Sequence, residues 1–404
     1  MIVVEMPAEI LRLGHPAPVS VRDAQGQLLI RKGTLVATEE QRQRLISRTL
    51  YVDESEGEQL KRIMTGQLDA MLRQNVALGQ VAKSQTDASG LLSPAAPKKP
   101  LPPVQAWAHL QMNVGVLVRD PPPADFPVRL QQLQEELLAL LDQGSDEALL
   151  ILVNLLAGEP HQRHATQALL VAVVGELAAR MVDGVTPAQR ASLRCAALTR
   201  QIAMASVQDQ LALQDTPTSP QQQAKVDHHV ARGLQCLRNA GVADPLWLEI
   251  VERHRQVPPE GPYAALPPEW KLARLLERAD RFASQLACAK SRPAPAAAEA
   301  VKAAFRQARP QGVDEAGALV VKATGVYPPG SYVRLVSGEI GLVLQRGVDA
   351  TSPKVAVLIS RSGTPLGDVV VRDTRRRPHD VAASVAPHEV RVRLNMGKLV
   401  QLVR

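Results

Sequence analysis

Three histidines and one aspartate lie on the apolar faces of helices that the sequence predicts. His229 shares a face with Val226, Val230 and Gly233, and His254 follows Trp247, Ile250 and Val251. His164 lines up with Val171 and Ala178, and Asp280 with Leu276 and Ala283. Residues at these spacings stand on one side of a helix, so all four side chains are expected to point inward. Inward imidazoles and carboxylates can hold a metal ion or line a nucleotide pocket. The same groups can also be satisfied polar residues of a core.

Other chemistries find no support. The chain has no GxSxG nucleophile elbow, no phosphate-binding P-loop and no GxGxxG ahead of a helix. Cys195, Cys236 and Cys288 are widely spaced, with no CxxC pair and no histidine at a telling distance, so packing roles are expected for all three. His228 falls on the polar flank of its helix, and His15, His109, His161, His379 and His388 show no ligand spacing.

The elements that must position the inward residues follow from turn and cap signals. Residues 1–83 are expected to form a small α+β module with a trailing helix. Its strand-like runs Pro18–Val21 and Gln27–Ile30 are joined by a turn at Asp23–Gly26. A capping box at Thr38–Gln41 opens a short helix, Leu50–Val52 closes the module as a strand, and a helix follows from about Glu58 to Lys83. The run Ser84–Pro103 has linker composition, so a linker is placed at 84–105.

From 106 to 324 the pattern is helical. Ser145 with Asp146 and Glu147 starts one helix and Gly158 stops it. Thr186-Pro187-Ala188-Gln189 and Ser219-Pro220-Gln221-Gln222 are capping boxes with proline at the first helical position, the second opening a helix that should run to Gly241. Asp244-Pro245 opens the next, and helices are predicted at about Pro268–Ala289, Ala296–Ala308 and Asp314–Thr324. Residues 325–404 turn β-rich and basic. Strands are expected at Tyr332–Val336, Ile340–Leu344 and Val355–Ile359, with further ones at Val369–Arg372 and Val390–Leu394. The fold class is therefore mainly α: a helical domain with a small N-terminal α+β module and a C-terminal β-rich extension.

Composition supports this. Aromatics are only 2% of the chain, so the cores are built from Leu, Val, Ala and Ile, which leans helical. The most apolar stretches, Leu149–Ala157 and Ala168–Ala179, are too short to span a bilayer. Glu5 and Glu9 stand where a signal peptide needs a basic start, and the cysteine usage fits a reducing compartment, so a soluble cytoplasmic protein with no membrane insertion is expected. The net charge of +7 is concentrated in the last segment, at Arg372, Arg375, Arg376, Arg377, Arg391, Arg393, Lys398 and Arg404. It reads as a nucleic-acid contact or as a solvated basic tail. The second is favoured because no aromatic residues interleave the charges.

Two stretches carry a family resemblance. Gly325-Val326-Tyr327-Pro328-Pro329-Gly330-Ser331-Tyr332-Val333-Arg334-Leu335, followed by Ser337-Gly338-Glu339, resembles the turn and strand pair that ends the helical domain of HD-GYP proteins, the family of cyclic di-GMP phosphodiesterases. The helices between His164 and Asp280 are similar to the catalytic domain of that family in order and spacing, and the resemblance covers about 150–375. It implies an HD-type helical domain holding two or three Mn or Fe ions, which activate a water and grip phosphate oxygens.

Carried over residue by residue, the resemblance sets His164 at the first ligand position and Arg200-Gln201 at the name-giving His-Asp pair. Met204 stands for the family lysine, His229 for the next histidine and His254-Arg255 for the His-His pair. Gln256 stands for a glutamate, Pro262-Tyr263-Ala264 for the GYP signature and Asp280 for the last aspartate. The central ligands are thus replaced. An arginine stays protonated and cannot ligate a cation, and an amide is a weak neutral ligand.

The resemblance therefore implies a remnant pocket of His164, Arg200, Gln201, His229, His254, Arg255 and Asp280, with no catalytic residue, no metal and no cofactor. The expected function is a degenerate signalling or interaction protein with a protein partner or a second copy of itself, and with a cyclic dinucleotide as a candidate ligand. The alternatives are an active metal-dependent phosphohydrolase with altered ligands and a nucleic-acid-binding protein using the basic tail. An inward Asp280 that has lost its metal needs a fixed counter-charge, so Arg200 or Arg255 is expected to pair with it.

Overall fold

The computed structural model describes residues 101–403 apart from 122–124 and 306–313, together with 3–6 and a scatter of positions between 17 and 53. The chain divides into two compact units, Met1–Pro100 and Leu101–Arg404. The helix predicted at Glu58–Lys83, residues 39–41 of the expected cap and most of the linker lie outside the described residues.

In the first unit, strands β1 (Val3–Met6), β2 (Val21–Arg22), β3 (Leu28–Ile30) and β4 (Leu50–Asp53) form an antiparallel sheet in the order β1-β4-β2-β3. Val21, Ile30, Val36 and Leu50 sit in its small core. The expected strand at Leu50–Val52 is present, and β1 is a strand that composition did not reveal.

The second unit is helical first. Helices α1 (Pro103–Arg119), α2 (Phe126–Gln143) and α3 (Ser145–Gly158) lead into α4 (Arg163–Ala179). Nearly every residue of α4 is buried, the mark of a helix surrounded on all sides. Around it pack α3, α5 (Pro187–Thr199), α10 (Pro268–Leu286) and α12 (Glu315–Thr324). Between α5 and α10 run α6 (Ala205–Leu213), α7 (Pro220–Asp227), α8 (His229–Asn239) and α9 (Pro245–Arg253), and α11 (Ala297–Phe305) follows α10. Both capping boxes form: Thr186 with Gln189 fixes the start of α5, and Ser219 with Gln222 that of α7. Asp244 caps α9 by accepting from the backbone of Leu246 and Trp247. Among the described residues no helix is long and apolar enough to cross a membrane.

One expectation fails here. The helix from Ser219 to Gly241 is two helices, broken at His228, where the backbone departs to φ −99° and ψ 11°. Helix α7 buries no residue, so no apolar stripe holds it in line with α8.

The C-terminal strands β5 (Tyr332–Leu335), β6 (Ile340–Gln345), β7 (Lys354–Ile359), β8 (Pro365–Asp373) and β9 (Val381–Val385) make an antiparallel sheet in the order β8-β7-β6-β5-β9. Alternation divides its faces: Val333, Val343, Val355 and Val357 form a core of their own, whereas Tyr332, Leu342, Ala356 and Leu358 join the helical core. Gly330 adopts φ +90°, and a Cβ there would lie 2.5 Å from the Leu150 carbonyl oxygen, so the Pro328-Pro329-Gly330 turn touches the backbone of α3. Arg346 ties the same junction, donating to Ser145 and Asp146 at the start of α3 and to the Ala323 carbonyl of α12. The expected strand at Val390–Leu394 is not one. Its Val392 and Leu394 pack inward, but it finds no ladder partner among the described residues, and β9 occupies the edge beside β5. Helix α13 (Met396–Gln401) ends the described chain.

Candidate functional site

Asp280 sits in the middle of α10 and is 1% exposed. Its Oδ1 accepts from Arg200 Nε at 2.9 Å, from Arg200 Nη2 and from Gln167 Nε2 at 3.0 Å. Its Oδ2 accepts from Arg255 Nη2 at 2.8 Å. Burial alone would raise the carboxyl, but the Arg200 and Arg255 guanidiniums outweigh it and hold the group at about 2. The pairing expected of Arg200 or Arg255 is thus made by both.

The two arginines differ in setting. Arg200 follows the last residue of α5, is 1% exposed, and spends Nη1 on the Ala197 carbonyl at 2.6 Å. Its burial, opposed by Asp280, draws its pKa down. Trp247 Nε1 donates to Thr199 Oγ1 at 2.9 Å, which pins α9 against the end of α5 and brings Arg255 over the pair. The Arg255 side chain is 48% exposed, so it closes the cluster from the solvent side.

His229 opens α8 and His254 caps α9, and their rings meet edge to face with centroids 5.9 Å apart. Each Nδ1 lies against a backbone carbonyl, Val226 at 2.6 Å and Val251 at 2.7 Å. A carbonyl only accepts, so each Nδ1 carries the proton and each Nε2 presents a lone pair. Both Nε2 atoms are buried without a hydrogen-bond partner among the described residues. Burial, reinforced by Arg255, pushes His254 down to about 4 and moves His229 the same way. Both imidazoles are therefore neutral at pH 7.

His164 is also buried but stands apart. Its backbone N–H donates to Asp209 Oδ1 at 2.9 Å, and its ring Nδ1 is 3.5 Å from Asp209 Oδ2, long for a hydrogen bond. Asp209 is held in turn by Arg119 at the end of α1. Burial would raise Asp209, but the hydrogen bonds from His164 and Arg119 bring it to about 2. Gln201 is buried where α5 turns into the 3-10 turn Ile202–Met204, and no hydrogen bond between described residues joins its side chain to the cluster.

Three members were not anticipated. Gln167, one turn after His164, donates to Asp280 and to Ser284 Oγ at 2.7 Å. It accepts from Gln208 Nε2 at 2.6 Å. The position of Gln167 on the His164 face was the available signal; Gln208 and Asp209 gave none. A second buried charge, Glu176, appeared in the sequence only as an interruption of an apolar run. It accepts from Arg194, from Arg180 Nε at 2.9 Å and from Arg190 Nε at 3.2 Å. Of the cysteines, Cys195 and Cys288 are buried, Cys236 is half-buried, and all three are free thiols. Burial pushes the Cys195 thiol up to about 12, which removes it from nucleophilic chemistry.

The residues present do not fit a di-metal centre. Among the described residues no three His, Cys, Asp or Glu side chains are placed to hold a metal ion, and both oxygens of Asp280 accept from guanidiniums. Fixed cations at that distance oppose a metal ion electrostatically.

No known family profile and no curated protein matches the sequence. A solved structure described as Bd1817, a HDG"Y"P protein from Bdellovibrio bacteriovorus, is similar over 79% of this chain and 98% of that one, at 15% identity and a TM-score of 0.44. A likeness of that size transfers no residue roles.

Proposed function

We propose that this chain is an HD-GYP-like protein whose phosphodiesterase centre has become a structural charge cluster, and that it works in signalling through binding rather than turnover. One observation carries the reading. The carboxylate at the last ligand position is neutralised by guanidiniums at two of the positions where the family has ligands, Arg200 and Arg255. A buried carboxylate needs compensating charge, and here the protein supplies it. The convergence of His229, His254 and Asp280 from separate helices supports descent from a metal-binding arrangement. A protein partner or a second copy of the chain, a cytoplasmic location and a retained affinity for a cyclic dinucleotide belong to the same proposal.

The test is metal analysis of the purified protein beside a cyclic di-GMP hydrolysis assay with Mn²⁺ or Fe²⁺ added. The expected result is no turnover above a blank and no stoichiometric metal. Metal-dependent turnover that is lost in His229→Ala would overturn it in favour of an active enzyme, the reading that the unpartnered Nε2 atoms of His229 and His254 would support.

A further inference from the structure

Strands β8 and β9 end the C-terminal sheet, and their outer edges differ. Helix α11 lies against β9, where Ala298 N–H donates to Ser384 Oγ at 3.3 Å. The edge of β8 is open: among the described residues, no backbone hydrogen bond joins residues 366–372 to any element but β7. A row of unpaired N–H and C=O groups is a template for another strand.

The groups on that edge follow from the register. Thr374 N–H donates to the Pro353 carbonyl at 3.4 Å, and Arg372 and Val370 stand opposite Val355 and Val357. Alternation therefore turns the N–H and C=O of Val370 and Arg372 toward β7, and those of Val369 and Val371 outward. The ladder is irregular between Val357 and Ile359, on the Pro365 side of Val370. At the other end the Asp373 carbonyl accepts from the Arg376 N–H at 3.1 Å, which closes the edge there. Val370 and Val371 between these limits are 39% and 43% exposed. Val348 and Asp349 are also exposed, but stand on the β6–β7 loop, off the strand.

We propose that β8 pairs antiparallel with β8 of a second copy of this chain, about a two-fold axis through Val370. Charge selects both the partner and the register. Centred on Val370, the pair sets Asp368 opposite the partner's Arg372, and Arg372 opposite the partner's Asp368. Val370 then meets its own copy, and Val369 and Val371 exchange four main-chain hydrogen bonds across the axis. Moving the centre to Val369 or Val371 sets Val370 against Asp368 or Arg372 instead. Both charges are within reach of a partner. Asp368 is exposed and bonded to the exposed Lys398 at 3.3 Å. Arg372 gives Nε and Nη2 to Glu339, at 3.3 and 2.8 Å, which leaves Nη1 unbonded among the described residues. Asp373, paired with Arg375 at 2.7 Å, falls opposite Gly367, which brings no charge. One strand pair buries less than the roughly 1,200 Å² of a stable interface, so the dimer is reversible. The proposal gives the second copy named above a surface. It does not depend on the Asp280 cluster: turnover and metal content test that cluster, and association tests this edge.

Sedimentation velocity of the full chain, from low-micromolar to near-millimolar concentration, should show passage from monomer to dimer. Asp368→Arg sets like charges opposite each other twice and should weaken association by about tenfold. Val371→Pro removes an outward donor without touching the β7 ladder and should do the same, with Val371→Lys as the substitute should proline disturb the fold. Oxidation reads the register. In a Cys236→Ser background, which removes the half-buried thiol, Val370→Cys should cross-link to its own copy, because residues on the axis bring their Cα atoms to about 4.5 Å. Ser362→Cys, on the exposed β7–β8 turn, should not. A parent that stays monomeric throughout overturns the proposal. So does association unchanged in the folded Asp368→Arg and Val371→Lys variants, which would put the contact on another face, and so does equal cross-linking at positions 362 and 370.

Discussion

Arg200 and Asp280, eighty residues apart in sequence, meet through two nitrogens on one carboxylate oxygen, both side chains almost wholly buried. Such a pair contributes little net stability when intact but is costly to break from one side, because the remaining charge stays buried.

Arg200→Met should therefore cost about 3–5 kcal/mol of unfolding free energy. Arg255 softens this only from its exposed side. Arg200→His should also destabilise, without gaining metal affinity, because Arg255 still occupies Oδ2. The double substitution Arg200→Met with Asp280→Leu should recover most of the loss, since no buried charge is then left alone. Urea melts of the three variants give the answer; equal losses in the single and double variants would count against a charge-pair role.

The pH dependence has a defined direction. His254 is held at about 4 in the fold against 6.5 ordinarily, so the unfolded chain takes up its proton first. Its contribution is complete above pH 6.5 and is lost as pH falls toward 4, by about 3 kcal/mol in all. Asp280 is depressed from 3.8 to about 2, so its contribution disappears over that lower window. Urea midpoints at pH 7, 6 and 5 should fall steadily, and His254→Leu should flatten the slope. An unchanged slope in that variant would assign the effect elsewhere.

Gly330→Ala should destabilise by more than about 2 kcal/mol, combining a left-handed backbone with a steric clash. The new Cβ would meet the Leu150 carbonyl at 2.5 Å. Gly363, also at positive φ but with open space around it, is the control, and Gly363→Ala should cost less. Thermal melts separate the two.

A fragment comprising 101–404 should fold alone, because the chain divides into compact units at Pro100 and Leu101. A single cooperative transition by circular dichroism is expected. A fragment without near-ultraviolet signal would show that the first unit is required.

The charge pairing was legible in the sequence because neutrality is a local demand: an inward aspartate on an apolar helix face must find a cation, and two arginines stood at related positions. The caps at Thr186, Ser219 and Asp244 were legible because their partners lie within three residues. Asp209 and Gln167 were not, since their partners are separated from them by 45 and 113 residues, so only the packed helices reveal the contacts. Strand β9 escaped notice because Val-Ala-Ala-Ser-Val hardly alternates; pairing with β5 defines it. The neighbouring Val390–Leu394 alternates well and suggested a strand, but alternation alone reports an apolar side and not a ladder partner.

The grip of Arg346 on Ser145, Asp146 and the Ala323 carbonyl joins points 200 residues apart. During synthesis the start of α3 emerges from the ribosome long before its partner arginine exists. At about 5–20 residues per second, that interval is on the order of 10–40 s. For that time the face of α3 that will receive the Pro328–Gly330 turn and the C-terminal sheet stands uncovered, making the late arrival of those strands the step most exposed to aggregation or chaperone capture.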